Sequence, residues 1–178
     1  MSNNYSLAIF QTEKIKNFIK KHKYNINYSV PFINIQKEIL QISSKYNFYK
    51  KSIIKLFDKR NQDNVLEHYH IIYTKDLFHI NSFIIFSISK TRILLEFIFV
   101  KPNYRKQGLA TLLINQTYNI VGQLYSLGLI KKTIYYELYT NKNNTNMILF
   151  MKKEHYKIIK HNDSILKDYI LYRKLNYV

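Results

Sequence analysis

Residues 104–113 read YRKQGLATLL and gather residue types that are scarce elsewhere in the chain. The 178 residues contain three Gly and two Pro, yet Gly108 lies inside this stretch and Pro102 lies two residues before it. Arg105 and Ala110 belong to types that the chain uses four times and twice, respectively. The surrounding sequence is rich in Lys, Asn, Ile and Tyr, so a cluster of scarce types indicates that this segment requires them.

The flanking residues predict that this segment joins a strand to a helix. RILLEFIFV (92–100) is rich in β-branched and aromatic residues, which is typical of a buried strand. KPNY (101–104) predicts a turn. From Arg105 the apolar residues recur every three or four positions up to Gly128, a residue suited to end a helix.

A helix start of this kind suits a phosphate ligand. Its first N–H groups have no partner within the helix and lie at the positive end of the helix dipole. Gly108 lets a phosphate approach the main chain without a Cβ in the way, and Lys101, Arg105 and Lys106 add positive charge. These residues predict a site for a ligand that carries a pyrophosphate. The alternative is a tight turn eased by Gly108, with Arg105 in solvent.

Composition predicts a single domain over residues 1–178. Apolar residues make up 47% of the chain, which is typical of a globular protein with a core. The absence of Cys excludes disulfides and thiolate metal sites. The chain has no basic start followed by a long apolar run, and no apolar stretch reaches the ~18 residues of a membrane span. We therefore expect a cytoplasmic protein without a membrane span.

The net charge of +17 has two interpretations. A strongly basic surface suits nucleic acid or another polyanion. The basic residues are scattered along the whole length, however, and Lys, Asn, Ile, Tyr and Phe all have A/T-rich codons. Drift in an A/T-rich genome is the favoured explanation of the charge.

Hydrophobic periodicity divides the chain into an N-terminal part, residues 5–60, and a core, residues 66–176. The N-terminal part is predicted to contain a strand at 5–11, helices at 12–23 and within 34–59, and a loop at 24–32. The core is predicted to contain strands at 67–74, 79–89, 92–100 and 132–140, a helix at 143–153, and a hairpin of 155–160 and 167–175. His68 and His70 alternate on a strand, but no third ligand is spaced to complete a metal site, so none is predicted.

LLEFIFVKPNYRKQGLATLL (94–113) resembles the central signature of the GNAT superfamily of acetyl-CoA-dependent N-acetyltransferases. In that family a strand ends in V-x-P-x-Y/F, and R/Q-x-x-G-x-G/A opens a long helix. The residues that fall in register are Val100, Pro102, Tyr104, Arg105, Gly108 and Ala110. Downstream, NTNMILFMKKEHY (144–156) is similar to N-x-x-A-x-x-L-Y-x-K-x-G-F, and the whole resemblance covers about residues 66–176.

The resemblance implies an α/β (α+β) fold. Its sheet would be mixed and mostly antiparallel, with six or seven strands flanked by helices, and its fourth and fifth strands would splay apart. The resemblance also implies acetyl-CoA as cosubstrate. The N–H groups of 105–110 would cradle its pyrophosphate, and the strand around Phe99 and Val100 would pair with its pantetheine. The implied cofactor-binding residues are Phe99, Val100, Arg105, Lys106, Gln107, Gly108, Leu109, Ala110 and Asn144.

The resemblance also implies one catalytic residue, Glu96, and one departure from the family. Glu96 would remove a proton from the incoming ammonium; the alternative is a strand carboxylate that pairs with Lys or faces solvent. Family members often place a Tyr in the short helix to protonate the leaving thiolate, but this chain has Met151 there and Phe150 beside it. Tyr139, Tyr156 or water are the candidate substitutes. Met147 replaces a usual small Ala and would narrow the acceptor channel.

Three functions remain open from the sequence. The first is an N-acetyltransferase that acts on a primary amine, of a small molecule, a protein N-terminus or a lysine, by direct attack in a ternary complex. The second is a catalytically weak CoA-binding module, and the third is a basic nucleic-acid-binding protein. The charge of +17 argues against basic acceptor tails and leaves acidic or anion-associated amines. A monomer and a homodimer both stay open.

Overall fold

The computed structural model describes residues 25–29, 33–46, 69–76, 79–89, 91–131, 133–159 and 169–177. In this part of the chain, seven strands form one sheet and three helices accompany it. The strands are β1 (Asn25–Ser29), β2 (Tyr69–Lys75), β3 (Ile80–Ile88), β4 (Arg92–Val100), β5 (Thr133–Asn141), β6 (Lys157–Ile159) and β7 (Tyr169–Tyr177). The helices are α1 (Ile33–Lys45), α2 (Leu109–Ser126) and α3 (Thr145–Lys153), with a single 3-10 turn at Pro102–Tyr104.

The sheet has the order β1-β2-β3-β4-β5-β7-β6. All neighbouring strands are antiparallel except β4 and β5, which are parallel. These two strands pair only from Arg92 to Leu94 and from Tyr135 to Glu137, and they diverge beyond those residues. The prediction of a mixed, mostly antiparallel sheet with splayed fourth and fifth strands is confirmed.

The two faces of the sheet carry different hydrophobic clusters. On one face, α2 and α3 pack over β3, β4 and β5, and the cluster includes Phe86, Leu113 and Tyr136. On the other face, α1 packs over β2, β3 and β4 through Ile39 and Phe83. We call these faces the α2 face and the α1 face. Because strand side chains alternate between faces, the position of each residue along β4 or β5 decides which cluster it joins.

The prediction of a loop over 24–32 is wrong for Asn25–Ser29, which forms the edge strand β1. Its polar sequence has a weak intrinsic preference for a strand. β1 pairs with β2 from Asn25 opposite Lys75 to Ser29 opposite Ile71. The main-chain hydrogen bonds of this pairing stabilise the strand despite its low intrinsic propensity.

The helix predicted from Arg105 begins four residues later, at Leu109. Lys106 and Gly108 have φ values of 62° and 81°, and such left-handed residues do not continue a right-handed helix. Residues 105–108 therefore form a turn between the 3-10 turn and α2. The predicted end of this helix is confirmed, because Gly128 follows it with φ 72° and donates its N–H to the carbonyl of Tyr125 at 2.8 Å.

The remaining predicted core elements are confirmed where the structure describes them. The strands at 67–74, 79–89, 92–100 and 132–140 and the helix at 143–153 appear with small shifts of their ends. The strand at 5–11, the helix at 12–23, the latter part of 34–59 and His68 lie outside the described residues. Among the described residues, no helix combines the length and the apolar character that crossing a membrane requires.

Candidate active site

The divergence of β4 and β5 opens a cleft of about 500 Å³ in the middle of the sheet. Its walls are the second half of β4, the second half of β5 and the start of α3. In this region the two strands have no ladder bonds to each other, so their main-chain groups face the cleft and can pair with an extended ligand.

The cleft has two mouths because residues from both faces of the sheet line it. On the α2 face, the lining consists of Ile98, Leu138, Thr140, Asn144 and Met147, which we call the α2 mouth. On the α1 face, the lining consists of five aromatic residues, which we call the aromatic mouth: Tyr46, Phe97, Phe99, Tyr139 and Tyr169. A ligand that enters through one mouth can therefore meet a ligand that enters through the other.

Residues 105–110, which we call the phosphate loop, comprise the turn after β4 and the first two residues of α2. The N-cap of α2 is Gly108, which has no side chain to satisfy the first N–H groups, and the first turn contains no acidic residue. The first N–H of α2 that donates to a preceding carbonyl is that of Leu112, which bonds to Gly108 at 2.9 Å. The N–H groups of Leu109, Ala110 and Thr111 therefore have no acceptor within the helix. A pyrophosphate fits this set of donors, since the N–H groups and the helix dipole favour an anion and Gly108 leaves the approach clear.

The structure differs from the sequence prediction in which groups of the phosphate loop are available to a ligand. The N–H of Arg105 donates to the carbonyl of Pro102 at 3.2 Å, so this group closes the 3-10 turn and is not a free donor. The Nε of Arg105 donates to the carbonyl of Val100 at 3.1 Å, and Lys106 is exposed beside it. Leu109 buries its side chain against Val100 and can offer only its main-chain N–H.

A hydrogen-bonded tie holds the phosphate loop to the hairpin turn between β2 and β3. The hydroxyl of Tyr104 donates to Oδ2 of Asp76 at 2.8 Å. The other oxygen of this carboxylate, Oδ1, accepts the N–H of His79 at 2.8 Å. Tyr104 also packs its ring against Leu109 and Leu112. These contacts fix the position of the loop relative to the sheet.

Glu96 lines the cleft and lies on an irregularity of β4. Leu95 pairs with Phe86 and Phe97 pairs with Ile85, so Glu96 is an extra residue in a β-bulge. The bulge brings Phe97 and Phe99 onto the α1 face and directs Glu96 into the cleft lining. The hydroxyl of Ser87 donates to Oε1 of Glu96 at 3.2 Å.

The two candidate proton donors, Tyr156 and Tyr139, lie in different places, one in the core and one in the cleft. Met151 is fully buried in the cluster on the α2 face, and Phe150 packs against the same cluster. Tyr156 is 5% exposed, and its hydroxyl lies 3.5 Å from that of Tyr118. Burial, with a smaller contribution from Tyr118, raises the pKa of Tyr156 well above its usual value. Of the two predicted substitutes, only Tyr139 lines the cleft, where it is 37% exposed.

Asn144 lines the α2 mouth and also caps α3. Its side-chain oxygen accepts the N–H of Met147 at 3.3 Å, and Met147 lines the same mouth. The cap alone would explain an Asn at this position. Its place in the cleft wall leaves the amide N–H groups of its side chain able to reach a ligand.

Sequence reasoning missed Tyr46, Phe97 and Tyr169 as cleft residues. Nothing distinguishes them from core aromatics in a chain that has 17 Tyr and 11 Phe. It also missed the bulge at Glu96, which no turn residue marks. Within the described ranges, no group of three His, Asp or Glu side chains is arranged to hold a metal ion.

Comparison with known proteins gives a family match and a set of similar folds. The family model described as "Acetyltransferase (GNAT) family" matches residues 38–156, which is 119 of the 178 residues. No curated protein matches the chain by sequence.

Three solved structures illustrate the fold similarity. The ribosomal-protein-S18-alanine N-acetyltransferase from Escherichia coli has a TM-score of 0.62 and 15% identity, over 87% of this chain and 95% of that one. A GNAT family acetyltransferase from Elizabethkingia anophelis with acetyl-CoA bound has a TM-score of 0.58 and 13% identity, over 84% and 96%. The PaiA N-acetyltransferase from Thermoplasma acidophilum in complex with coenzyme A has a TM-score of 0.56 and 14% identity, over 84% and 98%.

Proposed function

This chain belongs to the acetyltransferase (GNAT) family, and we propose on that premise that it transfers the acetyl group of acetyl-CoA to a primary amine. One observation carries the proposal. The cleft lies between a pair of unpaired strand edges, and its lining contains the carboxylate of Glu96, Arg105 of the phosphate loop that precedes α2, and residues from both faces of the sheet. An acyl carrier with a pyrophosphate and a separate amine can therefore occupy it together.

Acetyl-CoA is the cosubstrate of this family, and two structural neighbours are solved with coenzyme A or acetyl-CoA bound. In this chain the N–H groups of Leu109, Ala110 and Thr111 would hold the pyrophosphate, with charge from Arg105 and Lys106. The main chain of β4 near Phe99 and Val100 would pair with the pantetheine amides as an added strand. Asn144 at the α2 mouth would donate its side-chain amide to the same arm.

Glu96 acts in this proposal as the general base. The carboxylate takes a proton from the incoming ammonium, directly or through one water, and frees the lone pair with which the nitrogen attacks the acetyl carbonyl carbon. The nitrogen loses its second proton to water as the intermediate collapses. The new C–N bond replaces the C–S bond, and the sulfur leaves as thiolate. A thiolate with an ordinary pKa near 8.5 is a tolerable leaving group, so protonation by water or by Tyr139 suffices at this step.

Two measurements test the proposal. Isothermal titration of the purified protein with acetyl-CoA should saturate, whereas titration with ATP should give weaker binding. Thiol release from acetyl-CoA should then rise when primary amines are added. Saturation without amine-dependent thiol release would assign a CoA-binding module, and failure to bind at millimolar acetyl-CoA would overturn the proposal altogether.

A further inference from the structure

We infer that the acceptor is a primary amine with a large apolar group next to its nitrogen and only one positive charge, and that the aromatic mouth binds this group. The inference rests on the proposed function and specifies its acceptor. It follows from the walls of the mouth, from the charges around it, and from the side on which the cofactor must enter.

The walls of the aromatic mouth are ordered by the core behind them. Phe99 lies 5.4 Å from the ring of Tyr46 at the end of α1, and 5.5 Å from the buried ring of Phe83. Phe97 packs against the same cluster on the α1 face. Because these rings are held by core packing, an apolar ligand group gains contact area without the cost of ordering the wall.

Tyr139 and Tyr169 form the opposite wall. Tyr139 pairs with Leu171 and Asn141 pairs with Tyr169, which puts Tyr139 and Tyr169 on the α1 face of β5 and β7. The two walls together surround the position where an amine would reach Glu96 with aromatic surface. Such a lining selects for apolar area beside the reacting nitrogen.

The charges around the mouth do not suit a polycation. Glu96 is the only carboxylate among the described residues that line the cleft. The next carboxylate along the α1 face of β5 is Glu137, which is 3% exposed and already paired with two guanidinium groups. Arg173 Nε donates to Glu137 Oε1 at 2.7 Å, and Arg92 Nη1 lies 3.5 Å from Oε2. These four charges cancel, and Arg105 in the cleft lining adds one positive charge. A polyamine or an aminoglycoside would therefore find no surplus of carboxylates here, and the overall charge of +17 also disfavours a polycation.

The cofactor leaves the aromatic mouth to the acceptor. The phosphate loop begins α2, and α2 covers the other face of the sheet. A pantetheine arm that starts from a pyrophosphate at this loop reaches the cleft through the α2 mouth. The acceptor must then approach the acetyl group from the α1 face, past the five rings.

A panel of amines tests the acceptor class. The apolar arm contains 2-phenylethylamine and a short peptide with an N-terminal Met or Phe. The polycationic arm contains spermidine and an aminoglycoside. We expect kcat/KM to be about 10–100-fold higher in the apolar arm, the discrimination that one to a few apolar contacts supply. Within this arm, a higher rate with the peptide than with the free amine would identify a chain N-terminus as the source.

Paired variants test the aromatic mouth itself. Tyr139→Ala should raise KM for the preferred apolar amine about tenfold and leave the dissociation constant of acetyl-CoA unchanged. The matched control is Tyr135→Ala, since Tyr135 lies on the same face of the same strand, is 41% exposed, and sits against Arg173 outside the cleft. Tyr46→Ala provides a second change in the opposite wall.

The outcomes separate this inference from the proposed function. A preference for spermidine or the aminoglycoside, or equal effects of Tyr139→Ala and Tyr135→Ala on KM, would overturn the inference and leave the acetyltransferase proposal in place. Absence of turnover with every amine, despite saturable binding of acetyl-CoA, would overturn the proposed function and the inference with it.

Discussion

In the proposed function, the two mouths of the cleft would bind their ligands with different parts of the chain. The α2 mouth adjoins the phosphate loop, where main-chain N–H groups would be the binding elements and Gly108 leaves the approach clear. The aromatic mouth consists of side-chain rings that the core holds in place, with Glu96 between the two. A main-chain site requires a particular backbone conformation, whereas a side-chain site requires only rings of suitable size and position.

This difference has a consequence for substitutions. A main-chain site tolerates many side chains but fails when a Cβ or a change of φ disturbs its backbone. A side-chain site loses contact area in steps as rings are removed. The central carboxylate belongs to neither mouth and should affect the chemical step alone. The following predictions separate these three behaviours.

Glu96→Gln should have the largest effect. We expect kcat to fall about 10²–10⁴-fold, because the amide cannot accept a proton from the amine, while the dissociation constant of acetyl-CoA stays the same. The control is Glu38→Gln. Glu38 is another partly buried carboxylate that accepts a main-chain hydrogen bond, from Ile80, but it lies on α1 outside the cleft lining. Steady-state kinetics and calorimetry measure the two quantities, and an unchanged kcat in Glu96→Gln would remove Glu96 from the mechanism.

Gly108→Ala should weaken acetyl-CoA binding about 10–100-fold, since one or two charge-assisted hydrogen bonds are lost when a Cβ enters the phosphate approach. Gly128→Ala is the matched control at the other end of α2. Its φ of 72° resembles the 81° of Gly108, and a Cβ there would meet no atom within 4 Å. Both variants should lose about 1–2 kcal/mol of stability to backbone strain.

Only Gly108→Ala should change cofactor affinity, as measured by calorimetry at equal folded fraction. If both variants weaken binding to the same degree, general destabilisation of α2 explains the effect and the main-chain site is not at Gly108.

Asp76→Ala should weaken acetyl-CoA binding about 3–10-fold, because the loop loses a hydrogen bond to a charged partner that fixes its position. Tyr104→Phe removes the same bond from the other side and keeps the ring that packs against Leu109. The double variant should be no weaker than the more affected single variant, since both remove one interaction. Additive losses in this cycle would show that Asp76 and Tyr104 act on the cofactor separately.

The two mouths also differ in how far the sequence predicts them. At the phosphate loop the required residue types, Gly108 and Ala110 with Arg105, are scarce in this chain, so their cluster stands out. The same segment carries the family resemblance, through which the mixed, mostly antiparallel sheet and the splay of β4 and β5 were predicted. The start of α2 was not, because the positive φ of Lys106 depends on the local turn and not on residue type.

The aromatic mouth could not be predicted, because its residues are the common types of this chain. Tyr46, Phe97 and Tyr169 come from three elements far apart in sequence and meet only in the folded sheet. The bulge at Glu96 decides which face Phe97 and Phe99 occupy, and a one-residue change of register would reverse them. The aromatic mouth consists of common residue types that strand pairing brings together, so no short stretch of the sequence identifies it.

Tyr156→Phe should have the smallest effect on catalysis. The hydroxyl of Tyr156 lies in the core beside Tyr118 and outside the cleft lining, so we expect kcat to change less than about twofold. Tyr139→Phe is the informative counterpart, since Tyr139 lines the cleft; a loss of kcat in that variant, with an unchanged dissociation constant of acetyl-CoA, would identify its hydroxyl as the proton donor. A loss of more than tenfold in Tyr156→Phe instead would mean that the core opens during turnover.

The raised pKa of Tyr156 gives the same variant a second readout in stability. An unfolded Tyr loses its proton near pH 10, whereas folded Tyr156 keeps its proton above that pH because burial and Tyr118 disfavour the anion. The unfolded state thus binds fewer protons, and the free energy of unfolding should fall by up to about 1.4 kcal/mol per pH unit above pH 10 through this one group. Tyr156→Phe should lack that part of the slope in denaturant unfolding at pH 9 to 11, and equal slopes in the two proteins would mean that the hydroxyl reaches solvent.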